Sequence, residues 1–248
     1  MQISTYRTKK IVVGDQLFPI LDKVLPKLPE KSVVVITSKI VSICEGRVVK
    51  NDGKVSRDDL VEREAEMYLP ASHNQYGFYI AVKNSMLILS AGIDESNGNG
   101  YFVLWPKNPQ LSAFKIWKFL RSRDKLHKLG VIISDSHVTP LRWGTIGISI
   151  AHCGFRALND YRHKPDIFGR KLKVTQSSVR DGLAAAAVCA IGEGNEQTPL
   201  AVISDAEFVQ FQNRQPTRKE LNFLKISLDA DAFAPFLKSA QWQKGGSK

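Results

Sequence analysis

Apolar residues along the chain fall into alternating strand-like and helix-like spacings. The chain is expected to be extended up to Val13, after which Leu17, Ile20, Leu21, Val24 and Leu25 recur at helical spacing, with Asp15 placed to cap that helix and Pro26 and Pro29 to end it. Residues 33–43, VVVITSKIVSI, are rich enough in β-branched side chains to predict one strand or two, interrupted at Thr37-Ser38-Lys39. A short helix starting at Asp58 or Asp59 and reaching Tyr68 comes next, then a hairpin over 78–89 turning at Lys83-Asn84-Ser85. A strand at 101–105 leads to a helix over about 112–129, whose Phe114, Trp117 and Leu120 form the apolar stripe. Strands are predicted at 130–134, 145–151, 171–176 and 199–204. An Ala-rich helix capped by Ser178 runs to Ile191, and two short helices precede a flexible tail from about residue 241. No repeat or low-complexity linker interrupts this order, so 1–248 reads as a single domain, with room for intimately joined subdomains.

Composition narrows the class. With 43% hydrophobic residues the chain can bury a real core, and 35 basic against 24 acidic residues give a formal charge of +11, which favours anionic ligands. The basic residues Arg121, Arg123, Lys125 and Lys128 read as a solvated helix face, and no nucleic-acid motif accompanies them. Cys44, Cys153 and Cys189 are too few and too scattered for a disulfide framework and sit in apolar surroundings, as inert core thiols do. No signal peptide or membrane span is visible, so a cytoplasmic protein with no membrane partner is expected.

Three polar clusters stand at the ends of predicted elements: AGIDESNGNG at 91–100, DSHVTPLRWG at 135–144 and GEGNEQ at 192–197. Any one acid in them is better explained by a turn or a helix cap. Taken together, Asp94, Asp135, Ser136 and Glu193 would suit Mg²⁺ or Mn²⁺ carrying phosphates, because hard cations take carboxylate, hydroxyl and amide oxygens. His137 lies beside this set as a general acid–base or acceptor contact, with a hydrogen-bonded structural role as the alternative. His152 reads as structural, and Trp105, Trp117 and Trp143 as core or interface aromatics.

An ordered series of blocks ties the clusters together. ITSKIVS with Glu45-Gly46-Arg47, AGIDESN, Pro106 with Asn108-Pro109 and Ser112-Ala113, VIISDS, Asp160-Tyr161 with Asp166 and Phe168-Gly169-Arg170, and Asp181 with its Ala-rich helix resemble the coenzyme F-420-0:L-glutamate ligase family over roughly residues 10–205. The resemblance implies an α+β fold of mixed, largely antiparallel sheets with flanking helices, working as an intertwined homodimer. It implies GTP as co-substrate and two divalent ions, with a monovalent cation as a further expectation. Asp94 and Asp135 look like ligands of one ion, Ser136 and Glu193 of the other. Leu17, Phe18, Pro19, Ser38, Lys39, Asn97 and the run Ile191, Gly192, Glu193, Gly194, Asn195, Glu196, Gln197 and Thr198 look like nucleotide contacts.

The implied reaction joins an acceptor's carboxylate to L-glutamate through an acyl phosphate, and Lys39, Arg142 and Arg170 are the candidates for holding phosphate or carboxylate, with a surface salt bridge as the alternative for the two arginines. Two departures bear on the acceptor. Residues 136–140, SHVTP, lack the aromatic, glycine and arginine common at this point in the family, and Ile43 stands where a lysine is usual. Both remove contacts to an acidic acceptor, so tetrahydrofolate enters as an alternative to F-420-0, and a catalytically inactive nucleotide-binding relative as the third reading.

Overall fold

A computed structural model describes residues 1–246 of the chain. Its largest sheet has five strands in the order β1 (Gln2–Tyr6), β12 (Leu200–Ser204), β2 (Ser32–Thr37), β8 (Leu129–Val138) and β9 (Thr145–Cys153). Only β2 and β8 run parallel; the other neighbours are antiparallel. The central strands are apolar on both faces, as strands covered on both sides must be. Val34, Ile36, Val131 and Ile133 pack with α1 (Leu17–Val24), α2 (Ser38–Cys44) and α4 (Pro109–Asp124), whereas Val33, Val35 and Ile132 pack with α5 (Val179–Ile191). This is the α+β, mainly antiparallel architecture expected from the resemblance.

Between β2 and β8 the chain also builds a smaller unit. Here β3 (Val48–Lys50) pairs with β7 (Tyr101–Val103), and α3 (Arg57–Glu64) covers a sheet of β13 (Gln243–Lys244), β4 (Met67–Leu69), β5 (Ile80–Lys83) and β6 (Met86–Leu89). A capping box between Ser56 and Asp59 starts α3, so neither acid of the predicted pair is itself the cap. The predicted hairpin is there, its turn made by Asn84 and Ser85, both at positive φ. The remaining elements are β10 (Leu158–Asp160) paired with β11 (Gln176–Ser178), and the short α6 (Arg218–Phe223) and α7 (Ala234–Ser239).

Several sequence expectations need correction. Asp15 does not cap α1; its carboxylate is taken by Lys9 and by the Val12 backbone N–H. Residues 38–44 are helix, not strand. The helix predicted over 112–129 begins at Pro109, on an Asn108 cap, and stops at Asp124, where Lys125 turns left-handed. Arg121 and Arg123 are not a solvated face: Arg121 lies 4.8 Å over the Trp117 ring, and Arg123 donates to the carbonyls of Leu21, Leu25 and Pro26, closing the C-terminus of α1. No strand covers 171–175; the segment makes only an isolated bridge from Lys171 to Pro165 and scattered backbone bonds to residues 161–164 before β11 begins at Gln176, and Asp166 closes the turn ahead of it by accepting the backbone N–H groups of Phe168 and Arg170. Cys189 is exposed on α5 while Cys153 is buried. The expected flexible tail pairs through β13 with β4, and the N–H groups of Gly245 and Gly246 donate to the backbone carbonyls of Glu66 and Glu62; residues 247 and 248 of that tail lie outside the described residues.

Candidate active site

Thr37 of β2 and Ser134 of β8 are direct partners, so the two parallel strands reach the same level together. There β2 passes into α2, placing Ser38 and Lys39, while β8 continues for four more residues as strand. The predicted cluster at 135–138 is thus strand, not loop. A bulge sits opposite, with Ile150 the extra residue on β9, and side-chain alternation along β8 is unbroken. Asp135 follows Val131 and Ile133 to the α2 side, and Ser136 follows Ile132 to the α5 side. One strand therefore serves two walls of a cleft of about 870 Å³.

On the first wall Asp94, bridged through its backbone to Val103, accepts the Ser96 N–H at 2.8 Å and the Ser96 hydroxyl at 2.9 Å and pairs with Lys39 at 2.7 Å. Lys39 also donates to the Ser96 carbonyl at 2.9 Å. Burial opposes ionisation of Asp94, but the Lys39 charge and the Ser96 hydrogen bonds outweigh it and hold the carboxyl below its ordinary range. Burial pushes Asp135 the other way, up to about 6, and the negative charge of Asp94 adds to the rise; donors on Trp105, Ser136 and Ser38 only offset it. On the second wall the Ser136 hydroxyl donates to Glu193 at 2.8 Å, and Thr145 donates to the same carboxylate at 3.0 Å.

The walls meet where the Asn97 amide donates to the Gly194 carbonyl at 3.1 Å. Asn97 and Asn99 sit at positive φ, which Asn tolerates, so the AGIDESNGNG loop can fold tightly enough to present Asp94 and Asn97 together. Glu196 folds back onto the Gly194 N–H, Thr198 onto the Ile191 carbonyl, and Gln197 ties the loop to Thr8. The whole run 191–198, Ser38, Lys39, Asn97 and the four oxygen-bearing residues line the cleft.

Other predicted site residues are elsewhere. Leu17 is core, Phe18 packs tilted against Phe119 with ring centroids 4.9 Å apart, and Pro19 sits beside it on α1; none lines the cleft. Arg142 and Arg170 are exposed on loops that do not reach it. His137 does line it, half-buried, with Nδ1 unpartnered; burial keeps its imidazole below the ordinary pKa against the pull of Asp181. The sequence reading missed Thr8 to Val12, Thr145, and the pair Arg57 and Phe78, whose guanidinium and ring are 5.7 Å apart; Trp105 is core, as expected, and meets the site only through its hydrogen bond to Asp135. Arg57 carried a legible signal only as a basic residue at a helix start.

The donor set is all oxygen, and two carboxylates near enough for one to raise the other's proton affinity suit a hard cation. Among the described residues no three His, Cys, Asp or Glu side chains form a ready-made cage, so phosphate oxygens and water would complete any coordination shell, as Mg²⁺ prefers. The residues present fit the expected ions.

The sequence model of the F420-0:Gamma-glutamyl ligase family matches residues 5–205. The chain is 33% identical over 205 residues to the coenzyme F420:L-glutamate ligase of Methanocaldococcus jannaschii, covering 75% of this chain and 80% of that one. It is 35% identical over 208 residues to the enzyme of the same name from Methanococcus maripaludis, with 78% and 82% covered, and 32% identical over 215 residues to that of Halorubrum lacusprofundi, with 79% and 83% covered. Such matches over most of the chain define an amide-forming ligase. The protein belongs to the F420-0:Gamma-glutamyl ligase family.

Proposed function

We propose that the chain uses GTP and divalent metal to join the terminal carboxylate of an acceptor, F420-0 or a related acid, to the amino group of L-glutamate. The observation that carries this reading is the convergence of Asp94, Asp135, Ser136, Glu193 and Lys39 on one cleft in a member of this family. A carboxylate is a poor electrophile because it already bears negative charge. In the proposed course its oxygen attacks the γ-phosphorus, GDP leaves, and an acyl phosphate forms; the glutamate amine then attacks the acyl carbon, and inorganic phosphate leaves as the amide forms. Asp94 with Asp135, and Ser136 with Glu193, would hold two ions, Mg²⁺ or Mn²⁺, which when bound neutralise phosphate charge.

The chain's own groups supply positioning. Residues 191–198, Asn97 and Ser38 line the nucleotide end. Lys39, fixed by Asp94 and Ser96, places a cation at the floor. His137, which lines the cleft and whose imidazole pKa burial lowers, is suited to accept the proton that glutamate's ammonium must lose. Arg57, which also lines the cleft, is better placed than Arg142 or Arg170 to hold a substrate carboxylate within one chain.

Tetrahydrofolate is the second acceptor, favoured by the apolar Ile43 in the cleft wall. A homodimer is part of the proposal. Leu141, Trp143, Ile167, Phe168 and Val174 stand on the loops that carry Arg142 and Arg170 and are each more than four-fifths exposed, the pattern of side chains that a partner covers.

The test is glutamylated product by mass spectrometry from purified protein, Mn²⁺ or Mg²⁺, GTP or ATP, L-glutamate and each acceptor. Product is expected with GTP, and Asp94→Asn and Asp135→Asn should each lower turnover at least a hundredfold with folding intact. Wild-type turnover in both variants would refute the metal assignment, and nucleotide binding without product from either acceptor would favour an inactive relative.

A further inference from the structure

Trp105 is almost wholly buried, yet its indole N–H ends on Oδ2 of Asp135 at the cleft floor. Around it the chain builds a mount. Its carbonyl accepts Arg47 Nε at 3.0 Å; Arg47 also grips both oxygens of Glu64 at 2.8 Å; and Glu64 takes Lys83 at 2.7 Å. Lys83, the only buried lysine among the described residues, lies 5.4 Å from the Trp105 ring centroid, where a cation on the π face withdraws density and strengthens the N–H as a donor. The opposite requirement falls on Gly92, at φ 70°: a Cβ there would stand 2.2 Å from Trp105 Nε1 and 2.4 Å from Cε2. Residues from the turn before β3, from α3, from β5 and from the turn after β6 thus converge on one side chain that touches neither solvent nor, in this geometry, substrate.

We infer that Trp105 is a positioning residue for Asp135, holding one carboxylate oxygen so that the other faces the cleft at a fixed angle. The inference rests on the reading of Asp135 as a metal carboxylate. The Ser136 N–H and Ser38 also donate to Asp135, so loss of the indole donor loosens the carboxylate without freeing it. Partners that orient a metal ligand typically change affinity ~10–100-fold when removed.

The experiment titrates Mn²⁺ into the full chain with saturating GDP and reads free Mn²⁺ by electron paramagnetic resonance, for wild type, Trp105→Phe, Trp105→His, Gly92→Ala and Asp135→Asn. Trp105→Phe, which keeps a ring and loses the donor, is expected to weaken Mn²⁺ binding about tenfold. Trp105→His, which keeps a ring N–H, should recover part of it, and Gly92→Ala, which displaces the indole, should reproduce the loss. Wild-type Mn²⁺ affinity in Trp105→Phe, with binding lost in Asp135→Asn, overturns the inference and leaves the metal reading intact. Wild-type affinity in Asp135→Asn removes the metal reading, and the inference with it. A second measurement needs no change at Trp105: with ¹⁵N-labelled tryptophan, one indole N–H resonance should move in Asp135→Asn. If none moves, the link does not exist.

Discussion

At the scale of single residues the cleft works by opposing neighbours. Lys39 makes Asp94 a stronger acid, whereas burial and Asp94 make Asp135 a weaker one. The second effect has a measurable cost. The folded pKa of about 6 lies above the ordinary 3.8, so the folded chain holds this proton more tightly than the unfolded chain. Stability is then lost as pH rises between those values, and the loss is complete above them. Asparagine does not titrate, so without metal Asp135→Asn should be more stable than wild type at pH 8, on the order of 1–3 kcal/mol, with the gap closing below pH 4. Melting temperatures across pH in the presence of a chelator check this. A difference that is the same at pH 4 and pH 8 would contradict it. On the proposed function, a cation held at Asp135 would offset this cost.

Elements divide by whether local spacing decides them. The hairpin 78–89 was legible because Asn84 and Ser85 supply the positive φ its turn needs. The helix α2 was not, since SKIVSIC is β-branched enough to read as strand and only burial of Ile40, Val41 and Ile43 makes it helical. In α5 the alanines were legible as a close-packing face, but its closest neighbour was not. A Cβ at Gly147 of β9 would meet the Ala184 carbonyl at 2.4 Å and Val188 Cγ2 at 2.5 Å, while one at Gly182, on the helix itself, would meet nothing. Two glycine-to-alanine changes should therefore differ in sign by urea unfolding. Gly147→Ala should destabilise by about 1–3 kcal/mol, and Gly182→Ala should stabilise by up to about 1 kcal/mol. Destabilisation by both would mean that α5 is held differently.

For the whole molecule, the four oxygen-bearing residues were readable from sequence because the segments that carry them hold polar residues that a core has no use for, although one of those segments is strand and not loop. Thr8 to Val12, Arg57 and Phe78 were not, because nothing local marks them; each reaches the cleft through the packing of distant segments. Arg142 and Arg170 were candidates for the site because arginine pairs bidentately with phosphate and carboxylate, yet in one chain they stand away from it among exposed apolar side chains. The expected outcome is a mass in solution twice that of the chain by light scattering, reduced toward one chain by Trp143→Glu or Phe168→Glu. A monomer at micromolar concentration in the unaltered protein would remove the dimer from the proposal.

The level pairing of Thr37 with Ser134 has one more effect. Two parallel neighbours must be joined by a long excursion, and here that excursion contains α2, α3, all of the smaller sheet except β13, and α4. Lengthening or trimming it leaves the alignment of the two strand ends untouched. That one excursion brings Lys39, Asp94 and Asn97 as well as Arg57 and Phe78 to the cleft, so whatever shifts the smaller unit against the two strand ends reshapes the whole first wall at once.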